Sequence, residues 1–144
     1  DDRPRTGAQG RTPAPAPAPE ALAQLGSAYQ RAGEQQQAAS AYRAALAGRP
    51  GYLPALTGLA LVKGASGSAG LEEARRDLAA LRLAHPRSQL VAFNQGWLDV
   101  YRRDAKGAVA AWRRTITLGP RTPLGTTART LLVTIARQSQ GVRP

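Results

Sequence analysis

Residues 21–50 read ALAQLGSAYQRAGEQQQAASAYRAALAGRP, from Ala21 to Pro50. Small and apolar side chains fall at helical spacing twice in this stretch. Leu22, Leu25, Gly26 and Tyr29 come first, then Ala38, Tyr42 and Ala45, with Gly33 between the two sets and Pro50 after them. Residues three and four apart share one helix face. Gly interrupts a helix easily and Pro cannot continue one. The spacing therefore predicts helix, turn, helix. Gly26 and Ala38 let the two backbones approach, while Leu25, Tyr29 and Tyr42 fill the space between them.

The pattern recurs. Seventy residues on, Gly96, Ala108, Trp112 and Pro120 stand as Gly26, Ala38, Tyr42 and Pro50 stand in the first unit. A middle unit supplies Leu56, Leu59 and Ala60, then Ala74, Leu78, Leu81 and Pro86, in register once two extra residues are admitted in its turn. Pro50 to Pro86 is 36 residues and Pro86 to Pro120 is 34. A helix pair of this size cannot bury its apolar face alone, and stacking of successive pairs supplies a continuous core.

The units resemble the tetratricopeptide repeat (TPR), whose signature is W-x₂-L-G-x₂-Y, then A-x₃-F, then P, over about 34 residues. The first unit offers Leu22-x₂-Leu25-Gly26-x₂-Tyr29, then Ala38-x₃-Tyr42, then Pro50. The resemblance covers residues 20–120, and TTARTLLVTIARQSQ after it looks like the extra helix that closes such arrays. It implies an all-α fold, a right-handed α-α superhelix of about seven helices. The domain would span 20–140, with repeats at about 19–52, 53–88 and 89–122, a capping helix at about 123–138 and a tail at 141–144. It also implies a non-enzymatic scaffold that binds a peptide or protein partner on a concave face lined by the first helix of each pair. The places that hold the Lys and Asn of the carboxylate clamp in chaperone-binding members are occupied here by Ala23 and Ser27, so that activity is not implied.

The third unit departs from this pattern. Gln95 and Asp99 stand where Leu25 and Tyr29 stood, and the large side chains of that helix are Phe93, Trp97 and Tyr101, at i, i+4 and i+8, with Leu90 and Val100 beside them. By the resemblance, Phe93, Trp97 and Val100 correspond to Ala23, Ser27 and Gln30, which face the groove. Two readings stand: an aromatic cradle for a ligand, or a core stripe packed under the last helix through Leu131, Leu132 and Ile135. Arg31 and Arg102 end their first helices and suit an acidic peptide or a terminal carboxylate. The candidate partner-binding residues are thus Phe93, Trp97, Tyr101, Arg31, Arg102, Ser27 and Gln30.

The 144 residues carry a net charge of +11, and 18 of the 20 basic residues are Arg, Lys63 and Lys106 being the exceptions. The arginines are spread along the chain, which is compatible with a GC-rich bacterial coding bias or with an anionic partner. The alternative function is a binder of an anionic polymer, nucleic acid or an acidic surface, through these distributed arginines. Nucleic acid is the weaker partner because the arginine-bearing second helices lack interleaved aromatics apart from Trp112.

Catalysis is not expected. There is no Cys and a single His, His85, which precedes Pro86 at a unit end and reads as an exposed helix-terminal residue. No G-x-S-x-G occurs, and Glu72, Glu73 and Asp77 open a helix where acids offset its dipole. No cofactor or metal is called for. KGASGSAG, residues 63–70, lacks the Gly-Lys-Ser/Thr of a phosphate loop and reads as a lengthened, mobile turn.

Residues 1–19, DDRPRTGAQGRTPAPAPAP, show no apolar periodicity and read as an extended Ala/Pro-rich linker. No stretch reaches the roughly 18 apolar residues of a spanning helix, and the absence of Met points to a processed chain or a segment of a longer one. The tether suits the extracytoplasmic part of a membrane-anchored bacterial protein, and a cytoplasmic multidomain protein fits nearly as well.

Overall fold

The computed structural model describes residues 13–141. Seven helices follow one another: α1 (Pro19–Arg31), α2 (Gln35–Gly48), α3 (Leu53–Ala65), α4 (Ser68–Ala84), α5 (Gln89–Tyr101), α6 (Ala105–Leu118) and α7 (Pro123–Gly141). No strand occurs among the described residues. α1 pairs with α2, α3 with α4 and α5 with α6. α3 packs on α1, α2 and α5, and α7 closes the array against α6 and α5. The expected all-α array of three helix pairs and a closing helix is what forms. α7 ends at Gly141 instead of about 138.

Alanine and glycine set the spacing of the helices. Ala38, Ala45, Ala55, Ala74, Ala108 and Ala128 are each 0 % exposed. A β-carbon on Gly26 would stand 2.8 Å from Tyr42 Cδ1, and one on Gly58 would stand 2.7 Å from the Tyr42 hydroxyl, closer than real β-carbons come. The Tyr42 ring therefore lies flush against α1 and α3 together and bolts the first repeat to the second. In the third repeat a β-carbon on Gly96 would stand 2.5 Å from Trp112 Cδ1. Trp112 is 1 % exposed and donates its indole N–H to the Phe93 carbonyl at 3.1 Å.

The turn within the first pair and that within the third share one geometry. After α1, the Gly33 N–H donates to the Gln30 carbonyl and the Glu34 N–H to the Tyr29 carbonyl, with Gly33 at φ +79°. After α5, the Arg103 N–H donates to the Val100 carbonyl and the Asp104 N–H to the Asp99 carbonyl, with Arg103 at φ +58°. Both are Schellman closures, which place one left-handed residue after the helix. Arg103 takes that conformation without the freedom of glycine.

The middle pair corrects one expectation. KGASGSAG is not a lengthened turn: Lys63, Gly64 and Ala65 finish α3, Ser68 to Gly70 begin α4, and only Ser66 and Gly67 lie outside a helix. The two extra residues are absorbed as helix, so Glu72, Glu73 and Asp77 do not open α4 as expected but follow its first turn, where they pair with Arg75 and Lys63. The reversal is this short because Gly67 adopts φ 126°, ψ −178°, a region almost closed to other residues. Gly70 also lets α4 close onto the end of α3, since a β-carbon there would meet the Lys63 carbonyl and stand 2.7 Å from Ser66 Oγ, closer than real β-carbons come.

Residues 13–18 are exposed and outside any helix, and Ala18 has the polyproline II angles φ −62°, ψ 147°. Pro19 already belongs to α1. The rest of the expected linker, residues 1–12, and residues 142–144 lie outside the described residues.

Candidate functional site

The first helices α1, α3 and α5 share a groove of about 370 Å³, lined among others by Gln24, Ser27 and Gln30 of α1, Thr57 of α3, and Leu90 and Asn94 of α5. Its polar side chains are mostly uncharged. Gln30 accepts a hydrogen bond from the Tyr42 hydroxyl at 2.9 Å, which fixes its Oε1 and leaves its amide N–H groups to the groove. Burial pushes the Tyr42 pKa up, partly offset by the Ser27 hydroxyl and the Arg31 charge. Asn94 donates to the Leu90 carbonyl at 2.9 Å, and its Oδ1 takes no hydrogen bond among the described residues. Thr57 turns its hydroxyl back to the Leu53 carbonyl at 2.8 Å. Glu20, at one end of the groove, pairs with Arg49 at 2.6 Å, both side chains about half exposed.

Of the expected site residues, Ser27 and Gln30 line this groove. Of the two readings of the aromatic stripe, packing under the last helix describes Phe93 and Trp97. Both are half-buried and lie in one cluster with Trp112, Ile116 and the α7 residues Leu131, Leu132 and Ile135. The Trp97 and Trp112 rings meet edge to face, centroids 5.4 Å apart and planes at 76°. Tyr101 is 39 % exposed, with its ring next to Gly64 at the end of α3. Burial raises the pKa of its hydroxyl. Arg31 is exposed at the end of α1, while Arg102 lies on a different surface, the gap between α4 and α6, so the two do not flank one groove.

Arg102, a candidate from the sequence, therefore belongs to that second surface. It holds a cavity of about 300 Å³ floored by α5 through Val91, Ala92, Gln95 and Asp99. Asp99 is only 4 % exposed, and its Oδ1 accepts from Gln95 Nε2 at 3.1 Å and from Arg102 at 3.2 Å. Burial raises its pKa, with Gln95 and Arg102 pulling the other way. His85 is exposed where α4 ends, as expected, and borders this cavity.

Among the described residues no cluster of three His, Cys, Asp or Glu side chains has metal-binding geometry, and no helix is long and apolar enough to cross a membrane.

Neither the family profiles nor the curated protein sequences give a match to this chain. Among solved structures it is similar to the Arabidopsis OM64 TPR domain, with a TM-score of 0.57 and 17 % identity over 81 % of this chain and 95 % of that one. Three stacked helix pairs, a closing helix, the Gly-to-ring contacts at the repeat positions and that structural likeness converge on one conclusion: the chain has the fold of a TPR domain.

Proposed function

We propose that this domain is a non-enzymatic binding module that takes an extended segment of a partner protein into the groove formed by α1, α3 and α5. The observation that carries the reading is the chemistry of that groove: Gln24, Ser27, Gln30 and Asn94 present hydroxyl and amide groups with little net charge. Such groups suit the N–H and C=O groups of a peptide backbone, each of which needs a partner once water is excluded. Leu90 supplies an apolar contact in the same groove. Phe93 and Trp97 then serve the α7 contact, which holds α5 in place under the groove.

Selection of displayed peptides against the folded chain tests this. Selected peptides should lose about tenfold in affinity on Asn94→Ala and on Ser27→Glu, the size expected for one buried hydrogen bond removed or one charge placed against a backbone. Peptides that bind both variants as tightly as the parent would refute the groove as their site.

A further inference from the structure

The gap between α4 and α6 is open along its length: no Cα of α4 comes within 8 Å of one of α6. Its outer part, a groove of about 700 Å³, is lined by four arginines, Arg75 and Arg82 of α4, Arg102 at the C-cap of α5 and Arg114 of α6, and by no acidic residue. Three of these guanidinium groups are held in place. Arg75 pairs with Glu72 at 3.1 Å, Arg102 with Asp99 at 3.2 Å, and Arg114 donates to the Pro86 carbonyl. Arg82 has no acidic partner among the described residues. Beside them Leu83 is 85 % exposed, an apolar side chain standing in a basic rim with Ala79 and Pro86.

The corresponding gap one repeat earlier, between α2 and α4, is neutralised from within. Lys63 of α3 reaches Glu73 at 2.9 Å and Asp77 at 3.1 Å, both on α4. Arg82 and Arg114, in no ion pair among the described residues, therefore stand in a groove whose lining holds no acid, whereas the earlier gap carries Glu73 and Asp77.

We propose that the gap between α4 and α6 is a second docking surface, and that its occupant is an acidic, amphipathic segment of a partner protein. Carboxylates of that segment meet Arg82, Arg102 and Arg114, whose orientation is already fixed or free to adapt, and an apolar side chain covers Leu83. Charge complementarity selects the partner, since this chain at +11 is a poor partner for itself. The inner end favours protein over a polyanion: Asp99 and Asp104 line it together with Gln95, and no Phe, Tyr or Trp lines the gap to stack on bases. This surface is separate from the groove of α1, α3 and α5 and stands whether or not a peptide binds there.

The test measures binding of the whole chain to a helical peptide rich in Glu and Leu, to the same peptide with Gln for Glu, to a single-stranded oligonucleotide and to phosphatidylserine vesicles. The Glu peptide should bind and the Gln peptide should not. Arg82→Glu with Arg114→Glu should weaken the Glu peptide by about tenfold or more, while Arg129→Glu with Arg137→Glu on α7, an equal change in net charge, should stay within about twofold. Arg82→Gln with Arg114→Gln should lose affinity in the same direction, and thermal unfolding establishes that each variant folds. Equal losses from the two Glu pairs would reduce the effect to net charge and overturn the proposal. Tighter binding of the oligonucleotide or the vesicles, abolished by the Arg82 and Arg114 changes, would replace the acidic protein segment by that partner.

Discussion

The first and third repeats share a skeleton and differ in what covers it. Gly26 and Tyr42 in the first repeat meet as Gly96 and Trp112 do in the third, and Gly33 and Arg103 occupy the same left-handed position in the same turn. Yet α1 presents Leu25, which is 45 % exposed instead of filling the space between α1 and α2 as expected, and Tyr29 where α5 presents Gln95 and Asp99. The third repeat adds polar staples that the first lacks. Ser88 and Asp104 cap α5 and α6, and Gln89 donates to the carbonyls of Thr115 and Gly119 while accepting from the Thr122 hydroxyl. The small-against-large contacts fix the register of the array, and positions off those contacts are free to become polar. That freedom is what puts a buried carboxylate and a basic rim on the surface between α4 and α6.

The hardest test of the shared skeleton is to remove its largest ring. Trp112→Ala should cost about 3–5 kcal/mol, the range for deleting a buried aromatic, because the side chain is 1 % exposed and contacts Gly96, Trp97 and the α7 cluster. Urea unfolding measures it. Trp97 should become more exposed to a fluorescence quencher in the same variant.

Adding one carbon where the second repeat meets the first should have the next largest effect. Gly58→Ala forces a β-carbon against the Tyr42 ring at Cζ and Cε1, and overpacking of this kind costs about 1–3 kcal/mol. Gly26→Ala should cost less, since its nearest ring atom is 2.8 Å away. In a Tyr42→Leu background, which removes the crowded Cε1 and Cζ, Gly58→Ala should cost less than it does in the parent. If Gly58→Ala is neutral, Tyr42 is not the bolt between the first two repeats.

These contacts are also why the fold was legible in the sequence. Gly26 with Tyr42 and Gly96 with Trp112 repeat at one offset, and steric complementarity of that kind survives even where Leu25 and Tyr29 have become Gln95 and Asp99. The length of the middle turn was not legible, because it depends on the backbone of Gly67, whose φ a run of Gly and Ser does not specify. The cover over Phe93 and Trp97 depends on the path of α7, so spacing alone left groove and core both open. The basic gap was hidden for a further reason. Arg82 and Arg114 come from helices that do not touch, and only the superhelix brings them to one groove. A partial signal existed in α4, where Arg75, Ala79, Arg82 and Leu83 fall on one face with Glu72 its one acid.

The shared turn predicts opposite responses to the same residue. Arg103→Gly should stabilise the chain by about 0.5–1 kcal/mol, the left-handed penalty less the greater freedom glycine gives the unfolded chain. Gly33→Ala should destabilise by about 1 kcal/mol for the same reason read in reverse. Equal and opposite shifts in the urea midpoint would make the two turns equivalent. Loss of stability in both would mean that the Arg103 side chain contributes more than its backbone costs.

The last difference is electrostatic, and its sign can be worked out. Asp99 stands where Tyr29 stands in α1, and burial holds its pKa above the ordinary 3.8, with Asp104 adding to the rise and Gln95 and Arg102 opposing it. The charged groups around it are Arg102 of its own helix, Asp104 of the following turn, Arg82 of α4 and Arg114 of α6, with His85 bordering the same cavity. A carboxyl with a raised pKa binds more protons folded than unfolded, so its contribution to stability is largest below pH 3.8 and declines as pH rises through the raised value. Asn cannot ionise, so Asp99→Asn should gain stability relative to the parent as pH rises through that window, and the difference should level off above it. Tyr29→Phe, at the matching place in α1, removes no carboxyl and should show no such trend. Thermal melts from pH 3 to 7, a span that brackets the carboxyl range, measure both. A difference for Asp99→Asn that is flat across the range would mean that Gln95 and Arg102 offset burial completely.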